Sequence, residues 1–436
     1  MATLDKNSNS IWVVISQIFL LISNLLLLKL LTKSLSLEEF GGFSLYMSVA
    51  LFSRQILYDP VSIVVAKECA KAVNVNEFEP KRLKFLSDEF RVATYVTDRA
   101  GIALVTLGLI VFLFAYVLHD NSINGILILS CMAYTCANGG QGVYYNLLNS
   151  VSNRKPAAAF SILDSISKIV FVFISYLVFD RSLTCTLVPV AFATCITFLT
   201  LRIFIINRSS DIESPQANIV GIVKNRLHMS MPLYLPTLLT AVKSVGDRWI
   251  LAAFVGLDDL AAYTVLLQLG YLPILLIIGI MQTIIAPKIY KLAALGRDNG
   301  FDELRQVLNK YLLRISIFAC FAIGVAIGLS EVSFKLLTTE QYYKFSKYLG
   351  VFVASGIFTA SASVLHVAVI GVFDTKFVGK VMTTTLLVSA AITILLTAVW
   401  GFLGAIAGLI TSTSIVALIY WFVLYRVAFK RVGKLD

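Results

Sequence analysis

Charged residues are scarce in this sequence. Only 14% of its 436 residues are Asp, Glu, Lys or Arg, whereas soluble domains hold about 25%. Hydrophobic residues make up 58% of the chain, and its mean hydropathy is +0.84. A soluble core of this length does not need so much apolar sequence. The composition therefore excludes an ordinary soluble domain and predicts an all-α integral membrane protein.

The sequence also lacks the motifs of several common functional classes. Its six cysteines form no C-x-x-C pair and its three histidines are scattered, so we expect no metal site and no cofactor. No G-x-x-x-x-G-K-[ST] loop occurs, which excludes an ATPase motor within this chain. The predicted outside loops are short and poor in paired carboxylates. These absences together predict a protein that is not an enzyme.

Twelve apolar stretches of membrane-spanning length are present instead. They are Ile11–Leu31, Phe43–Val65, Val92–Leu118, Ile123–Leu148, Pro156–Phe179, Leu183–Ile206, Ser230–Val255, Leu260–Ile285, Leu312–Leu329, Tyr348–Val372, Val381–Trp400 and Phe402–Val423. Residues 207–229 between the sixth and seventh stretches are polar. We interpret them as a cytoplasmic linker that breaks any helix.

The formal net charge of +11 is explained by topology, because basic loops stay on the cytoplasmic side, and it does not indicate a nucleic-acid partner. With the N-terminus inside, the inside segments hold 25 Lys and Arg and the outside segments hold 6. This asymmetry predicts twelve spans with both termini in the cytoplasm.

One segment of the chain repeats. Leu37–Leu45 follows the first span and Leu257–Val265 follows the seventh, at an offset of 220 residues, with similar chemistry at every position. Six spans return the chain to the same side of the membrane, so the halves are expected to be parallel repeats. They would be related by a pseudo-two-fold axis along the membrane normal. We predict six-helix bundles at residues 1–206 and 230–436.

A few basic residues lie where lipid excludes charge. A cation at membrane depth is costly unless it faces a wet cavity or a partner. Several such cations therefore indicate a cavity for an anionic ligand. The five bases are Arg54, Arg99, Lys168, Lys243 and Arg248, and the acids in the same spans are Asp59, Asp98, Asp164 and Asp247.

Local pairing is the alternative interpretation of these charges. Asp164 and Lys168 are four residues apart, as are Lys243 and Asp247, which suits ion pairs on one helix face. The sequence leaves structural and functional roles open for both pairs. Arg54 has no acid at three or four residues, and Asp59, at five, is expected to face elsewhere. We therefore predict a cavity role for Arg54.

The fourth span is unusually polar. It contains Asn138-Gly139-Gly140-Gln141-Gly142, which indicates either a hinge or a close helix contact. Gly401, Gly404 and Gly408 have a spacing that favours helix packing.

Several of these segments resemble the multidrug/oligosaccharidyl-lipid/polysaccharide (MOP) exporter superfamily. The resemblance lies in the repeat segment Leu37–Leu45, in Met231-Pro232-Leu233-Tyr234, in Asp247-Arg248-Trp249-Ile250-Leu251 and in Gly401–Ala405. Within the superfamily, twelve spans are most similar to the O-antigen and polysaccharide repeat-unit flippases of the Wzx type.

This resemblance implies a cargo and a mechanism. The cargo would be an undecaprenyl-diphosphate-linked oligosaccharide, moved across the bacterial inner membrane from the cytoplasmic to the periplasmic leaflet by alternating access. The five bases would bind the diphosphate, and Asn138, Gln141 and Tyr144 would contact sugars. Asp59, Asp164 or Asp247 would pair with these bases or couple transport to H+ or Na+. A polysaccharide polymerase and chain-length proteins are the implied protein partners.

Two alternatives stay open at this point. A MATE-like drug/cation antiporter belongs to the same superfamily, but its cavity should hold more acids than bases. A non-transporting scaffold of a glycan-assembly complex would not need charges in lipid.

Overall fold

In a computed structural model, the chain is built from α-helices. The structure describes residues 2–74, 79–117, 125–150, 154–210, 219–277, 285, 289, 292–293, 301–373 and 375–428. Throughout these residues every regular element is helical and no strand occurs. The prediction of an all-α fold is confirmed.

The chain divides into two compact units. The first comprises Met1–Leu35 and Gly42–Val245, and the second comprises Ser36–Gly41 and Gly246–Asp436. Two of the three dividing points, Gly41/Gly42 and Val245/Gly246, lie inside helices, the third lies in the turn between the first two helices, and none lies in the predicted linker. The division into bundles at residues 1–206 and 230–436 stays a prediction.

The first eight helices supply the first unit, although α2 begins and α8 ends in the second. They are α1 (Ala2–Ser34), α2 (Leu37–Leu57), α3 (Asp59–Asn74), α4 (Glu79–Val117), α5 (Gly125–Ser150), α6 (Arg154–Val178), α7 (Thr184–Ser210) and α8 (Ile219–Phe254). Residues 207–210 thus continue α7, and residues 219–229 begin α8. The prediction that 207–229 breaks any helix is wrong at both ends of that stretch.

The remaining helices supply the second unit. They are α9 (Leu257–Leu266, followed by a π-helical turn at Leu267–Tyr271), α10 (Phe301–Gly328), α11 (Ser330–Leu337, followed by a 3-10 helix at Glu340–Tyr348), α12 (Leu349–Val372) and α13 (Thr375–Phe422, followed by a π-helical turn at Val423–Ala428). Every predicted span overlaps a helix.

Among the described residues, eight helices are long and apolar enough to cross a membrane, or nine if the bent pair α2–α3 counts as one span. One of the eight, Phe377–Arg426, covers two predicted spans. The helices α5 and α8 are not among the eight. Both overlap predicted spans and both carry the polar or charged residues discussed below.

Apolar side chains cover the outer face of several helices. On α1, Ile18, Ile22 and Leu26 are 51%, 50% and 51% exposed, and their spacing of four residues puts them on one helix face. Such a face is unfavourable in water and favourable against lipid tails. The exposure pattern therefore agrees with a membrane environment.

The two repeat segments open helices at matching positions. α2 begins at Leu37 and α9 begins at Leu257. Ser36 caps α2 through a reciprocal pair of hydrogen bonds: Glu39 N donates to Ser36 Oγ at 3.2 Å, and Ser36 N donates to Glu39 Oε2 at 3.0 Å. α9 instead follows Gly256, whose φ of 125° suits glycine.

The second predicted span is broken at Tyr58. α2 and α3 meet there at an angle of 47°. Pro60 explains the break, because it has no N–H to donate and it disfavours helical geometry at the preceding Asp59. Tyr58 is fully buried and packs in the core of the first unit with Val61, Val65 and Leu147.

A reversal at Gly401 divides α13 into two arms. Gly401 has φ 56° and ψ −129°, which is not helical. A Cβ on Gly404 would collide with the backbone of Leu396, and a Cβ on Gly408 would lie 3.0 Å from Cα of Thr393. The arms are therefore antiparallel and in close contact, as the glycine spacing predicts.

Candidate functional site

Arg54 lies in the last turn of α2, with 31% of its side chain exposed. Its Nη1 donates a hydrogen bond to Oδ1 of Asn138 on α5 at 2.8 Å. Its Nε lies 3.9 Å from Oδ1 of Asp59 and finds no hydrogen-bond acceptor in the described part of the chain. A guanidinium has five N–H donors, and the bond to Asn138 uses one of them.

The contact between Arg54 and Asp59 corrects the sequence-based expectation. In an unbroken helix, five residues separate two side chains by about 140° around the axis, so Asp59 was expected to face elsewhere. The bend at Tyr58 changes the direction of α3 and brings the carboxylate of Asp59 towards the guanidinium of Arg54. At 3.9 Å this is a loose, half-exposed ion pair.

The glycines of α5 leave space for the side chains that pack against this helix. A Cβ on Gly139 would collide with the ring of Tyr58, and a Cβ on Gly142 would lie 3.7 Å from Nη2 of Arg54. A Cβ on Gly140 would collide with the ring of Phe198 on α7. The close-contact interpretation of this segment is confirmed.

Lys168 belongs to a buried network between α5, α6 and α7. Its Nζ lies 2.5 Å from Oδ2 of Asp164 and 5.4 Å from the ring centre of Tyr134. The other oxygen of Asp164 accepts hydrogen bonds from Thr197 Oγ1 at 2.9 Å and from Gln141 Nε2 at 3.3 Å. In this structure Lys168 and Asp164 neutralise one another. Lys168 also lies within electrostatic range of Arg54.

Gln141 and Tyr144 are packed in the interior. Gln141 is 2% exposed, and its amide also donates to the Thr194 carbonyl at 3.2 Å. Tyr144 is fully buried, its ring stacks on Phe198 with centres 6.0 Å apart, and its hydroxyl shares a hydrogen bond with Thr97 at 3.2 Å. The polar groups of both residues therefore contact protein atoms. Asn138 is half-buried, and its side-chain oxygen accepts the hydrogen bond from Arg54.

Arg99 lies apart from the network around Lys168. It is exposed on α4, and its guanidinium carbon lies 5.3 Å from the ring centre of Tyr95. The neighbouring Asp98 forms a two-bond ion pair with Arg202 on α7, with distances of 3.1 Å and 2.8 Å. Arg202 lies near the end of the sixth predicted span, Leu183–Ile206.

The second unit holds its own charged site at the end of α8. Asp247 accepts a hydrogen bond from the hydroxyl of Tyr263 on α9 at 2.5 Å and another from the backbone N–H of Arg248 at 2.9 Å. Nε of Arg248 is buried and has no hydrogen-bond partner among the described residues. Lys243 belongs to the first unit, where its side chain is exposed and forms no ion pair with the described residues.

Sequence reasoning missed a second buried ion cluster in the first unit. Arg226 on α8 pairs with Glu89 on α4 and with Glu68 on α3. All three residues fall in stretches that hydropathy assigns to cytoplasmic loops. Arg226 and Glu89 are 137 residues apart, so no local spacing signals their contact.

No group of three or more His, Cys, Asp or Glu among the described residues is arranged to hold a metal ion. All six cysteines are free.

Comparison with known proteins gives the family. The sequence model described as "Polysaccharide biosynthesis protein" matches residues 7–293, which is more than half of the chain. The chain belongs to this family. A search of curated proteins finds no match to this member of the family.

Solved structures give the fold of this polysaccharide biosynthesis protein. An inward-facing multidrug resistance MATE family transporter of the MOP superfamily is 12% identical, with 96% of each chain covered and a TM-score of 0.68. The lipid II flippase MurJ, in an inward closed conformation, is 15% identical, with 96% of this chain and 87% of that chain covered and a TM-score of 0.66.

A third structure agrees with these two. A Vibrio cholerae MATE transporter, VcmN, is 16% identical over 97% of this chain and 98% of that chain, with a TM-score of 0.61. The protein therefore has the helical transporter fold of the MOP superfamily, and the resemblance found in its sequence is confirmed.

Proposed function

We propose that this protein is a flippase for an undecaprenyl-diphosphate-linked oligosaccharide of the O-antigen or capsule repeat-unit type. It moves this lipid from the cytoplasmic to the periplasmic leaflet of the bacterial inner membrane, with both termini in the cytoplasm. The observation that carries the proposal is the environment of Arg54. This intramembrane guanidinium is held by a neutral amide and only loosely paired with a carboxylate. Membership of the polysaccharide biosynthesis family supports this choice of cargo.

The chemistry of a diphosphate suits this environment. A guanidinium binds phosphate oxygens through two parallel N–H donors, and the attraction is stronger away from bulk water. Asn138 orients the guanidinium without cancelling its charge. Lys168 adds positive potential nearby, although Asp164 neutralises most of it in this conformation.

The other predicted cations are proposed as further diphosphate ligands. Arg248 has a buried Nε without a hydrogen-bond partner among the described residues, and Lys243 forms no described ion pair within its own unit. Arg99 stacks on Tyr95 at the surface of α4. Asn138, Gln141 and Tyr144 are the proposed sugar contacts, and the buried Gln141 and Tyr144 reach sugars only if the network around them rearranges during transport.

The proposed mechanism is alternating access, the usual mechanism of transporters built from repeats. Asp59 is the best-placed acid for coupling to H+ or Na+ among Asp59, Asp164 and Asp247. Its carboxylate competes with a diphosphate for Arg54, so a proton or cation on Asp59 releases Arg54 for the cargo. Asp164 and Asp247 already accept several hydrogen bonds from protein groups.

A deletion strain tests this proposal. The deleted strain is expected to accumulate one polyprenyl-diphosphate oligosaccharide on the cytoplasmic leaflet, and the wild-type chain should clear it. Arg54→Ala should fail to clear it, Arg54→Lys should clear it in part, and Arg181→Ala, which changes an exposed arginine between α6 and α7, should behave as wild type. Full clearance by Arg54→Ala would remove the observation on which the proposal rests.

A drug/cation antiporter is the second candidate. The TM-score of 0.68 to a MATE family transporter favours it. In that case deletion would leave the lipid-linked oligosaccharides unchanged and would reduce resistance to a cationic dye. A scaffold function predicts that glycan export needs the protein but tolerates Arg54→Ala.

A further inference from the structure

The exposed side chains of α8 separate into an apolar group and a polar group. Between Met231 and Ser244, the exposed large apolar side chains have exposed fractions from 37% to 66%, and they are Met231, Leu235, Leu238 and Val242. Successive members are four, three and four residues apart, so all four lie within about 60° of one another around the helix axis. We call these four residues the α8 stripe.

The polar group lies on another side of the same helix. Its members are Thr240, Lys243 and Ser244, and all three are exposed. Helical spacing puts each of them at least about 80° away from every member of the α8 stripe. An ammonium at membrane depth is stable only beside water or a polar partner, whereas an exposed apolar side chain is stable against lipid tails. The two groups therefore suit two different surroundings.

α6 does not show this division. Its exposed side chains between Pro156 and Val178 are all apolar: Ala159, Leu163, Ile166, Val170, Phe173, Ile174, Leu177 and Val178. α6 is among the eight helices that are apolar enough to cross a membrane, and α8 is not. The exposed surface of α6 therefore suits lipid alone, while that of α8 suits lipid on one side and water on the other.

The polar side of α8 lies beside the segment of α2 that carries Arg54. The hydroxyl of Ser244 is within hydrogen-bonding distance of Oε1 of Gln55 on α2, at 3.1 Å, and this contact is exposed. Gln55 directly follows Arg54, and Lys243 directly precedes Ser244. All of these residues and the α8 stripe belong to the first unit. One helix thus has cations and polar groups on one side and a continuous apolar surface on another.

We propose, building on the function proposed above, that the α8 stripe guides the polyprenyl tail of the cargo while the headgroup occupies the polar side of α8. The cargo has the same division as the helix, since an apolar tail is joined to an anionic diphosphate. The tail stays in hydrocarbon beside the stripe, and the diphosphate stays in a wet environment beside Arg54 and Lys243. Neither part has to enter an unfavourable solvent.

The length and position of the α8 stripe agree with this role. Met231 and Val242 are eleven residues apart, which corresponds to about 16 Å along a helix. This is roughly half of the hydrocarbon core of a bilayer, which is about 30 Å thick. In the proposed topology the seventh span begins at Ser230 on the cytoplasmic side. The stripe then lies in the leaflet from which the cargo is taken.

Photo-crosslinking in proteoliposomes tests the contact with the tail. The vesicles contain bacterial phospholipids and a minor fraction of undecaprenyl diphosphate, and the full-length protein carries benzoyl-phenylalanine at one position at a time. Leu235 represents the α8 stripe, Thr240 the polar side, and Leu163 an exposed position on α6 at a similar depth in the proposed topology. Mass spectrometry measures the ratio of polyprenyl to phospholipid adducts. This ratio should be several-fold higher at Leu235 than at Leu163 or Thr240.

Two results of this experiment would overturn the role of the α8 stripe. Equal ratios at Leu235 and Leu163 would mean that the stripe is an ordinary lipid-facing surface. Equal ratios at Leu235 and Thr240 would mean that the tail is not confined to one side of α8. Neither result concerns the identity of the cargo, which the deletion strain tests separately. If the wild-type chain clears no lipid-linked oligosaccharide there, the proposed function fails, and the stripe fails with it.

Substitution within the α8 stripe tests its role in transport. Leu235→Asn places an amide beside an apolar tail, which is costly, and should slow clearance of the lipid-linked oligosaccharide several-fold. Leu235→Met keeps an apolar surface and should retain most of the clearance. Leu163→Asn places the same amide on α6 and should behave as wild type. Equal slowing by Leu235→Asn and Leu163→Asn would contradict a specific role for the stripe. If Leu235→Asn does not fold, the crosslinking ratios still decide the question.

Discussion

Arg54 and Asn138 are joined across α2 and α5 by one hydrogen bond of 2.8 Å, with the guanidinium as donor. Because the amide is neutral, it fixes the orientation of Arg54 and leaves its charge intact. Asp59, the nearest described carboxylate partner, lies at 3.9 Å from Nε. This arrangement keeps a positive charge available at membrane depth.

Replacing Asn138 tests whether this orientation matters. Asn138→Ala removes a hydrogen bond to a charged group, worth about 1.5–3 kcal/mol, and should lower clearance of the lipid-linked oligosaccharide about ten-fold or more. Asn138→Asp adds a competing carboxylate and should lower it further. Asn149→Ala, an exposed position on the same helix, is the control. Wild-type clearance in Asn138→Ala would show that Asn138 does not position Arg54.

The pair Lys168–Asp164 should behave as a buried ion pair whose partners depend on one another. Lys168→Met leaves a buried carboxylate unpaired and should destabilise the protein by about 3–5 kcal/mol, as should Asp164→Asn. The double variant should be more stable than either single variant. Thermal unfolding in detergent measures this, and losses that simply add in the double variant would contradict the coupling.

Gly139 and Gly324 form a matched pair for helix glycines. A Cβ on Gly139 would collide with the ring of Tyr58, whereas nothing lies within 4 Å of a Cβ on Gly324. Gly139→Ala should therefore destabilise by about 1–3 kcal/mol, and Gly324→Ala should be neutral or stabilising by up to about 1 kcal/mol. Apparent melting temperatures of the two variants decide this, and equal shifts would show that the contact at Gly139 relaxes freely.

Tyr263 should stabilise the charged site of the second unit. Its hydroxyl donates to Asp247 at 2.5 Å, so Tyr263→Phe leaves the half-buried carboxylate of Asp247 without that donor. The expected cost is about 1–3 kcal/mol in the free energy of unfolding. Tyr343→Phe removes a hydroxyl without a described partner and serves as the control. Equal stability of the two variants would mean that another donor replaces Tyr263.

The fold was predictable because its signals are local. Apolar stretches mark the spans, and the matching segments at Leu37 and Leu257 both open helices. The glycines of α5 also signalled a close contact. These features depend on composition and short spacing, which a single sequence displays.

The charge contacts were not predictable in the same way. Asp59 contacts Arg54 only because the helix bends just before Pro60. A helical wheel assumes an unbroken helix and therefore does not show this contact. Arg226 and Glu89 looked like loop charges, since hydropathy registers their polarity and not their burial. Arg202 and Asp98 are 104 residues apart. Such pairs depend on tertiary packing.

The reversal at Gly401 has a consequence for biogenesis. A straight helix of the 48 residues from Thr375 to Phe422 would be about 72 Å long, more than twice the roughly 30 Å of a hydrocarbon core. One glycine folds this length back on itself. The two arms must then enter the bilayer together as a hairpin, and the orientation of one arm dictates that of the other.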